Sequence, residues 1–268
     1  MEKVFKILIF TDLDGSLLHR DTFKFDEVKD YLIQLISKGI FIIPNTSKTE
    51  KEILEFLNDL GSSLPFISEN GAAINGLDLL NTNFPKELIL SREKENLLSI
   101  FKNTVPKNLQ SKCKWLSDMN KIKQSLIFGL KDKKLNMALD RKYTIPFLFE
   151  GTKNEKNELS KIIKDRDLYL QEGGRVINLT DKVSKSKSMN IFMRFFKRNN
   201  KNVKTIAVGD NFNDLDMLKN SDIPCLVFND QFKQEQINID NLIISNKPSP
   251  EGWADVIKKA LVKLNYYD

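Results

Sequence analysis

The chain has 268 residues, of which 41% are hydrophobic and 29% charged, with few glycines and prolines. This balance excludes disordered and fibrous proteins, and the length predicts one large domain or a core that carries an insert. No stretch is apolar over the ~18 residues that a membrane span needs, and the N-terminal residues lack the apolar run and cleavage site of a secretory signal. We therefore expect a cytoplasmic protein without a membrane partner.

The net charge of +6 arises from basic residues that are spread along the whole chain. Such a distribution is typical of a solvated basic surface rather than of a nucleic-acid site, and it suits a small anionic ligand equally well. Two cysteines, Cys113 and Cys225, are far apart and belong to no C-x-x-C pair. A disulfide framework and a zinc site are therefore excluded, and we expect both to be buried apolar residues.

Strand-like runs alternate with amphipathic helical patterns in the first 70 residues. The first helix has Asp26 as a possible N-cap and Gly39 just beyond its end. The second opens with a capping box at Thr49 and Glu52 and stops at Gly61. The predicted strands are Lys6–Thr11, Ile40–Ile43 and Pro65–Ser68.

This alternation predicts a doubly wound α/β fold, with a parallel sheet that has helices on both faces. Ligands of such sheets bind beyond the carboxyl ends of the strands. Asp12, Thr46 and Glu69 come just after the three predicted strands. We therefore expect them to lie near a binding crevice.

The alternation breaks down between about Phe84 and Leu179, where lysine- and asparagine-rich linkers interrupt it. We predict an inserted α+β domain there, with a helix over Ser91–Lys102 and strands over Ser125–Leu130 and Ile145–Phe149. The alternating pattern resumes after the insert. Its elements are helices at Ser186–Lys197 and Gly252–Leu264 and strands at Val203–Val208, Cys225–Phe228 and Leu242–Ile244.

Two carboxylates, Asp12 and Asp14, stand one residue apart at the tip of the first strand, and Gly15 lets the chain turn sharply after them. Carboxylates this close repel each other unless a cation lies between them. Mg²⁺ is a suitable cation because it binds oxygen ligands, and Asp210 or Asp214 can supply further ones. The alternative is a solvated turn at the first pair and a helix N-cap at the second.

The histidine and cysteine content also limits which residue type can act as a nucleophile. One histidine is present, His19, in a predicted loop, so a dimetal site built from several histidines is excluded. Neither cysteine precedes an arginine-containing loop that would activate it. A carboxylate is the nucleophile that remains.

Four motifs, in order, resemble those of the haloacid dehalogenase superfamily of hydrolases. They are D-L-D-G-S-L from Asp12, T-S at Thr46, a lysine, and G-D-N-F-N-D from Gly209. A narrower set is similar to the mannosyl-3-phosphoglycerate phosphatases and their glucosyl-3-phosphoglycerate relatives. It comprises N-T-S-K-T at 45–49, S-E-N-G-A-A-I at 68–74, F-E-G-T at 149–152, G-G-R at 173–175 and S-P-E-G-W at 249–253.

This resemblance implies a Rossmann-like core of residues 1–82 and 180–268 and a C2-type cap of residues 83–179, which matches the predicted insert. It implies a Mg²⁺-dependent phosphatase in which Asp12 is the nucleophile and Asp14 the general acid and base. The implied metal ligands are Asp12, Asp14, Asp210, Asn213 and Asp214. The implied phosphate- and substrate-binding residues are Thr46, Ser47, Lys185, Glu69, Asn70, Arg141, Glu150 and Arg175.

The sequence departs from the superfamily pattern at two points. Ser16 replaces the usual threonine but keeps the hydroxyl group, and the lysine motif reads K-S-K-S-M from Lys185. The phosphate-binding lysine is therefore Lys185, Lys187 or Lys182, and we favour Lys185 because Met189 then takes an apolar helix position.

Several alternatives stay open. The substrate is a small anionic phosphate ester, whose sugar is mannose or glucose. Another sugar-phosphate phosphatase, a phosphomutase or a binding protein of the same fold are the other functions, and the oligomeric state is undetermined. Arg175 is equally well explained by a surface ion pair, and Glu69 and Asn70 by an ordinary turn.

Overall fold

A computed structural model describes residues 5–173, 175–230 and 237–266. The strands are β1 Lys6–Thr11, β2 Phe41–Pro44, β3 Phe66–Ser68, β4 Ala73–Asn75, β5 Glu87–Ile89, β6 Cys113–Trp115, β7 Ile145–Phe149, β8 Leu168–Glu172, β9 Ile177–Asp181, β10 Val203–Gly209, β11 Ile223–Leu226 and β12 Ile243–Ile244. The helices are α1 Asp26–Ser37, α2 Glu50–Leu60, α3 Lys94–Thr104, α4 Lys107–Gln110, α5 Lys121–Phe128, α6 Asp132–Leu139, α7 Lys153–Lys164, α8 Lys185–Asn199, α9 Leu215–Lys219 and α10 Glu251–Lys263.

The core is a five-stranded parallel sheet in the order β12-β11-β10-β1-β2. Alternate side chains of β1 enter two hydrophobic clusters on opposite faces of this sheet. Ile9 packs in the cluster that contains Trp253 of α10, and Phe10 in the cluster that contains Phe192 of α8. The prediction of a doubly wound α/β core is therefore confirmed.

Strand β3 differs from the expectation of a third strand within the parallel sheet. It forms one parallel bridge to the core, between Asn45 and Ile67, and then pairs antiparallel with β4, which pairs antiparallel with β5. The cause is the tight turn through Glu69 and Asn70, which have positive φ values of 47° and 60° and send the chain straight back.

Local signals placed most helix ends correctly. The Thr49 side chain accepts a hydrogen bond from the Glu52 amide and the Glu52 carboxylate accepts one from the Thr49 amide, which completes the predicted capping box of α2. Gly61 ends that helix in a left-handed conformation. The predicted N-cap at Asp26 is wrong, because Asp26 is the first helical residue and Phe25 occupies the cap without a side-chain hydrogen bond.

The inserted segment contains an antiparallel sheet in the order β6-β7-β9-β8. Helices α3 and α7 cover one face of it, where Phe101 and Leu159 join a buried cluster with Phe147. The predicted strand at Ser125–Leu130 is wrong, because most of it lies in α5 between an Asn120 N-cap and a left-handed Gly129. Short apolar runs do not distinguish a strand from a buried helix.

Strand pairing crosses both ends of the expected cap. Strand β5 follows residue 83 but pairs with β4, and β9 continues to Asp181 within the four-stranded sheet. The division at 83 and 179 therefore stays a prediction. Within the described ranges, no helix has both the length and the apolar composition to cross a membrane.

Candidate active site

The carboxyl ends of β1, β2 and β10 meet the first turn of α8, and this junction brings together side chains that are far apart in sequence. Asp12 follows β1, Thr46 follows β2, Asp210 follows β10, and Lys185 is the first residue of α8. All four are buried. Of the predicted strand-end residues, Asp12 and Asp210 are brought together, and Nζ of Lys185 lies 2.7 Å from Asp12.

Lys185 links two of the carboxylates. Its Nζ lies 2.7 Å from Oδ1 of Asp12 and 2.7 Å from Oδ1 of Asp214, and its side chain is 1% exposed. Burial lowers the pKa of Lys185, but the two carboxylates outweigh burial and hold that pKa above its usual range. Lys182 and Lys187 are exposed, and Nζ of Lys187 donates to the carbonyl of Lys182 instead. Of the three candidate lysines, Lys185 is therefore the one in contact with Asp12.

Asp12, Asp210 and Asp214 form a buried acidic cluster, with one oxygen of each within 4.8 Å of the others. Burial, Asp214 and Asp12 together raise the pKa of Asp210 to about 8. Burial also raises the pKa of Asp214, against the opposing effect of Lys185. Buried carboxylates that repel one another and offer oxygen ligands fit a divalent cation such as Mg²⁺.

Two glycines make this close approach possible. A Cβ atom on Gly15, where φ is 80°, would lie 2.6 Å from Oδ2 of Asp210, and one on Gly209 would lie 2.3 Å from Cβ of Asp214. Asp214 is further fixed because its Oδ2 accepts the backbone amides of Asp210 and Asn211, each at 3.1 Å. Both glycines belong to the motifs read from the sequence.

Three further side chains surround Asp210. Ser16 donates to Oδ1 at 3.3 Å, Asn229 donates to Oδ2 at 3.0 Å, and Arg20 forms an ion pair with Oδ2. Ser16 was expected to supply a hydroxyl group, whereas no sequence pattern indicated Arg20 or Asn229. Both residues lie in loops outside the recognised motifs.

Lys48 is another missed residue, although it lies inside the N-T-S-K-T run. Its Nζ lies 2.9 Å from Oδ1 of Asp14 and 3.2 Å from Oε1 of Glu52, one helical turn away in α2. Burial raises the pKa of Asp14, and Lys48 opposes that rise. The signal that could have found it is the i, i+4 spacing of Lys48 and Glu52 beside a strand end.

Asp12, Asp14, Asp210 and the two cations Arg20 and Lys48 line a cavity of about 340 Å³ between the core and the inserted segment, whereas Lys185 and Asp214 lie behind Asp12 and are absent from the lining. Its core side is lined by carboxylates and by the two missed cations. The inserted segment contributes basic, amide and apolar groups. The lining includes Asp12, Asp14, Arg20, Ser47, Lys48, Arg141, Arg175, Asn178, Asp210 and Asn213.

Two predicted arginines of the insert reach this cavity. Arg141 is buried and donates to the carbonyl of Ser47 at 3.1 Å and to Oγ1 of Thr144 at 2.9 Å. Nη2 of Arg175 lies 3.7 Å from Oδ1 of Asp21, and the side chain is 33% exposed. Gly174, the middle residue of the G-G-R motif, lies outside the described residues.

The other predicted binding residues lie elsewhere. Glu69 is buried and accepts hydrogen bonds from the amides of Lys142 and Tyr143 and from Thr144, so it joins the core to the insert instead of lining the cavity. Glu150 is exposed and lies 3.5 Å from Nζ of Lys114. Asn70 and Thr46 are buried and are absent from the lining of the cavity.

Comparison with known proteins gives a consistent assignment. Residues 9–257 match the family model of haloacid dehalogenase-like hydrolases. A glucosyl-3-phosphoglycerate/mannosyl-3-phosphoglycerate phosphatase of Persephonella marina is 31% identical over 95% of this chain and 97% of its own length. A protein of the same description from Methanococcoides burtonii is 30% identical over 97% of this chain and 99% of its own.

Solved structures agree in fold. A phosphatase of the haloalkanoate enzyme superfamily from Bacteroides thetaiotaomicron superposes with a TM-score of 0.70 at 15% identity, covering 99% of this chain and 97% of that one. Sucrose-phosphatase from Synechocystis superposes with a TM-score of 0.62 at 11% identity, covering 98% and 100%. With the site geometry, the match over most of its length shows that this chain belongs to the haloacid dehalogenase-like hydrolases, as a phosphatase acting on phosphoric monoesters.

Proposed function

We propose that this phosphatase removes the phosphate of mannosyl-3-phosphoglycerate or glucosyl-3-phosphoglycerate and releases the glycosylglycerate. The observation that carries the proposal is the near full-length similarity to two phosphatases described by those substrates. The cavity supports it, because basic side chains from the core and the insert surround the acidic cluster. A substrate with both a phosphate and a carboxylate would use cations at both places.

In the proposed reaction, a carboxylate oxygen of Asp12 attacks phosphorus while the bond from phosphorus to the glycerate oxygen breaks. Asp14 donates a proton to that leaving oxygen. Asp14 then accepts a proton from a water molecule whose oxygen attacks the aspartyl-phosphate, so inorganic phosphate leaves and Asp12 is restored. Burial raises the pKa of Asp14, which favours the protonated form that the first step needs, although Lys48 opposes this effect.

Lys185 and Asp214 are proposed to hold the nucleophile in position. The ammonium group of Lys185 lies between the carboxylates of Asp12 and Asp214. It is also close enough to Asp12 to bind an oxygen of the transferring phosphoryl group. Ser47, which follows β2 and lines the cavity, is proposed to contact the same group, and Thr46 is its neighbour in the chain. Since both oxygens of Asp214 already have partners, its proposed role is to orient its neighbours.

The residues that would hold Mg²⁺ are Asp12, the Asp14 carbonyl and Asp210, with Asn213 and Asp214 beside them. When bound, Mg²⁺ neutralises negative charge on the phosphoryl group and on the carboxylate cluster. Asp210 suits this role because its oxygens lie within the acidic cluster and its other contacts come from Ser16, Asn229 and Arg20.

Residues 83–179 are proposed to act as a cap that binds the leaving group and limits water access. Arg141 and Arg175 line the cavity from this segment, and either guanidinium group can take a carboxylate in a bidentate manner. Glu150 lies outside the cavity lining and has no part in this proposal.

Phosphate release from both glycosyl-3-phosphoglycerates, measured beside 3-phosphoglycerate, sugar monophosphates and p-nitrophenyl phosphate, tests the proposal. We expect kcat/KM to be highest for a glycosyl-3-phosphoglycerate. Highest activity on a sugar monophosphate would identify another sugar-phosphate phosphatase. Conversion of a sugar phosphate without free phosphate would identify a phosphomutase.

A further inference from the structure

Asn178 of β9 is a buried amide that the reaction described above does not use. The residue is 3% exposed, and its Oδ1 is buried without a hydrogen-bond partner among the described residues. Its neighbours in the strand, Ile177 and Leu179, pack into the hydrophobic cluster of the four-stranded sheet. Because strand side chains alternate, Asn178 points to the opposite face, where it lines the cavity.

An unpaired buried amide needs an explanation. Burial without a partner costs about 1–3 kcal/mol, and most buried polar groups in folded proteins are hydrogen-bonded. A hydrophobic residue at this position would be buried without such a cost. The amide is therefore better explained by a ligand atom that completes its hydrogen bonding when the cavity is filled.

The surroundings of Asn178 indicate the chemistry of that atom. Arg175 and Val176 precede it in the lining, and Phe128 and Leu130 add apolar surface from α5 and the residues after it. The proposed nucleophile Asp12 and its neighbour Lys185 come from the core, whereas Asn178 belongs to the insert. A neutral amide beside apolar carbon atoms suits a group that presents hydroxyl and C–H surfaces together, which is the character of a sugar ring.

We propose that Asn178 determines specificity for the leaving group by hydrogen-bonding a hydroxyl of its sugar. This inference rests on the proposed function, since it assigns the glycosyl part of the substrate to the cap side of the cavity. A polar group that is satisfied by one substrate and left unpaired by another gives strong discrimination. Asn178 thereby favours esters whose leaving group carries a hydroxyl at that position.

The test compares Asn178→Leu with Asn75→Leu. Asn75 of β4 is a matched control because it is also a buried strand asparagine, 8% exposed, with an unpartnered amide nitrogen, and it lies outside this cavity. For Asn178→Leu we expect kcat/KM to fall about 10- to 100-fold with a glycosyl-3-phosphoglycerate, as for the loss of one buried hydrogen bond. With p-nitrophenyl phosphate, whose leaving group has no second hydroxyl, we expect less than about a twofold change.

Product binding gives a second measurement. Glycosylglycerate should inhibit hydrolysis of p-nitrophenyl phosphate by the unchanged enzyme and by Asn75→Leu, and about 10-fold more weakly by Asn178→Leu. If the circular dichroism spectrum shows that Asn178→Leu does not fold, the smaller Asn178→Ala is compared in the same way. Equal losses on both substrates, or none on either, would overturn the inference.

Failure of the proposed function is recognised separately. If the unmodified enzyme shows no preference for either glycosyl-3-phosphoglycerate, the proposed function is refuted before any variant is made. The two variants are then compared on the hydroxylated ester that the enzyme prefers. The inference is overturned if no hydroxylated ester separates Asn178→Leu from Asn75→Leu.

Discussion

Replacement of Lys185 by methionine removes the cation between two carboxylates while keeping a side chain of similar length. Its Nζ lies 2.7 Å from Asp12 and from Asp214, and the side chain is 1% exposed. Removing one partner of a buried ion pair lowers the free energy of unfolding by about 3–5 kcal/mol. We expect a loss of this size for Lys185→Met at pH 7 in EDTA, because no divalent cation then replaces the lost charge.

Proton uptake by an uncompensated carboxyl group limits this loss. An ordinary aspartate has a pKa of about 4, so protonating one at pH 7 costs about 4 kcal/mol, and the cost falls by about 1.4 kcal/mol for each pH unit. In the variant, this carboxyl group has a higher proton affinity in the folded state than in the unfolded state. Lower pH therefore stabilises the folded variant. We therefore expect the loss to shrink by about 2 kcal/mol between pH 7 and pH 5.5.

In the unmodified protein, Lys185 itself causes no comparable pH dependence of the free energy of unfolding. Burial lowers the pKa of Lys185, but Asp12 and Asp214 outweigh burial and raise that pKa, so Lys185 stays charged throughout the range. Its stabilising contribution is complete below the unfolded pKa of about 10 and is lost only at higher pH.

Urea unfolding followed by circular dichroism at both pH values measures these changes. Lys187→Met is the control, since Lys187 lies two residues further along α8, is exposed and bonds the Lys182 carbonyl. We expect its effect to stay within about 0.5 kcal/mol. Equal losses for the two variants, or a Lys185→Met loss that is independent of pH, would refute the reasoning.

Three other predictions concern the reaction itself. Asp12→Asn removes the proposed nucleophile at nearly constant volume, so we expect an unchanged circular dichroism spectrum and no measurable phosphate release; activity above a few per cent would contradict the role. EDTA should stop phosphate release and added Mg²⁺ should restore it, because the buried acidic cluster needs a cation; full activity in excess EDTA would exclude the metal. Arg175→Ala should lower kcat/KM for a glycosyl-3-phosphoglycerate about 10- to 100-fold and that for p-nitrophenyl phosphate less than about twofold, as for a charged contact made by one substrate. Equal losses on both substrates would make Arg175 a structural or surface arginine, consistent with its position 3.7 Å from Asp21.

The chain determines the core and the catalytic cluster largely through local signals. Strand β1 has the predicted bounds, because a run of apolar and β-branched residues that ends in aspartate has few other structures available. The capping box at Thr49 and the left-handed Gly61 set both ends of α2 for equally local reasons. Parallel strands then bring their carboxyl ends to one edge, and Asp12 and Asp210 meet there because β1 lies beside β10.

Residues between the strands required the tertiary structure. Glu69 was expected to bind substrate, yet its carboxylate receives two backbone amides and a hydroxyl group from residues 142–144, which only the packing of the insert brings near. Arg20 and Asn229 reach Asp210 from loops that carry no periodic pattern. The predicted strand at Ser125–Leu130 failed for a related reason, since a short apolar run takes its conformation from its neighbours.

The sequence by itself therefore determined which polar groups stand at the ends of the strands, because their positions depend on residue type at the ends of regular elements. The tertiary structure decided what faces them. Lys48 reaches Asp14, and Asn178 lines the cavity from a strand 130 positions further along the chain. Contacts at such separation depend on how the loops and the inserted segment pack against the core, and side-chain patterns within one element contain no information about that packing.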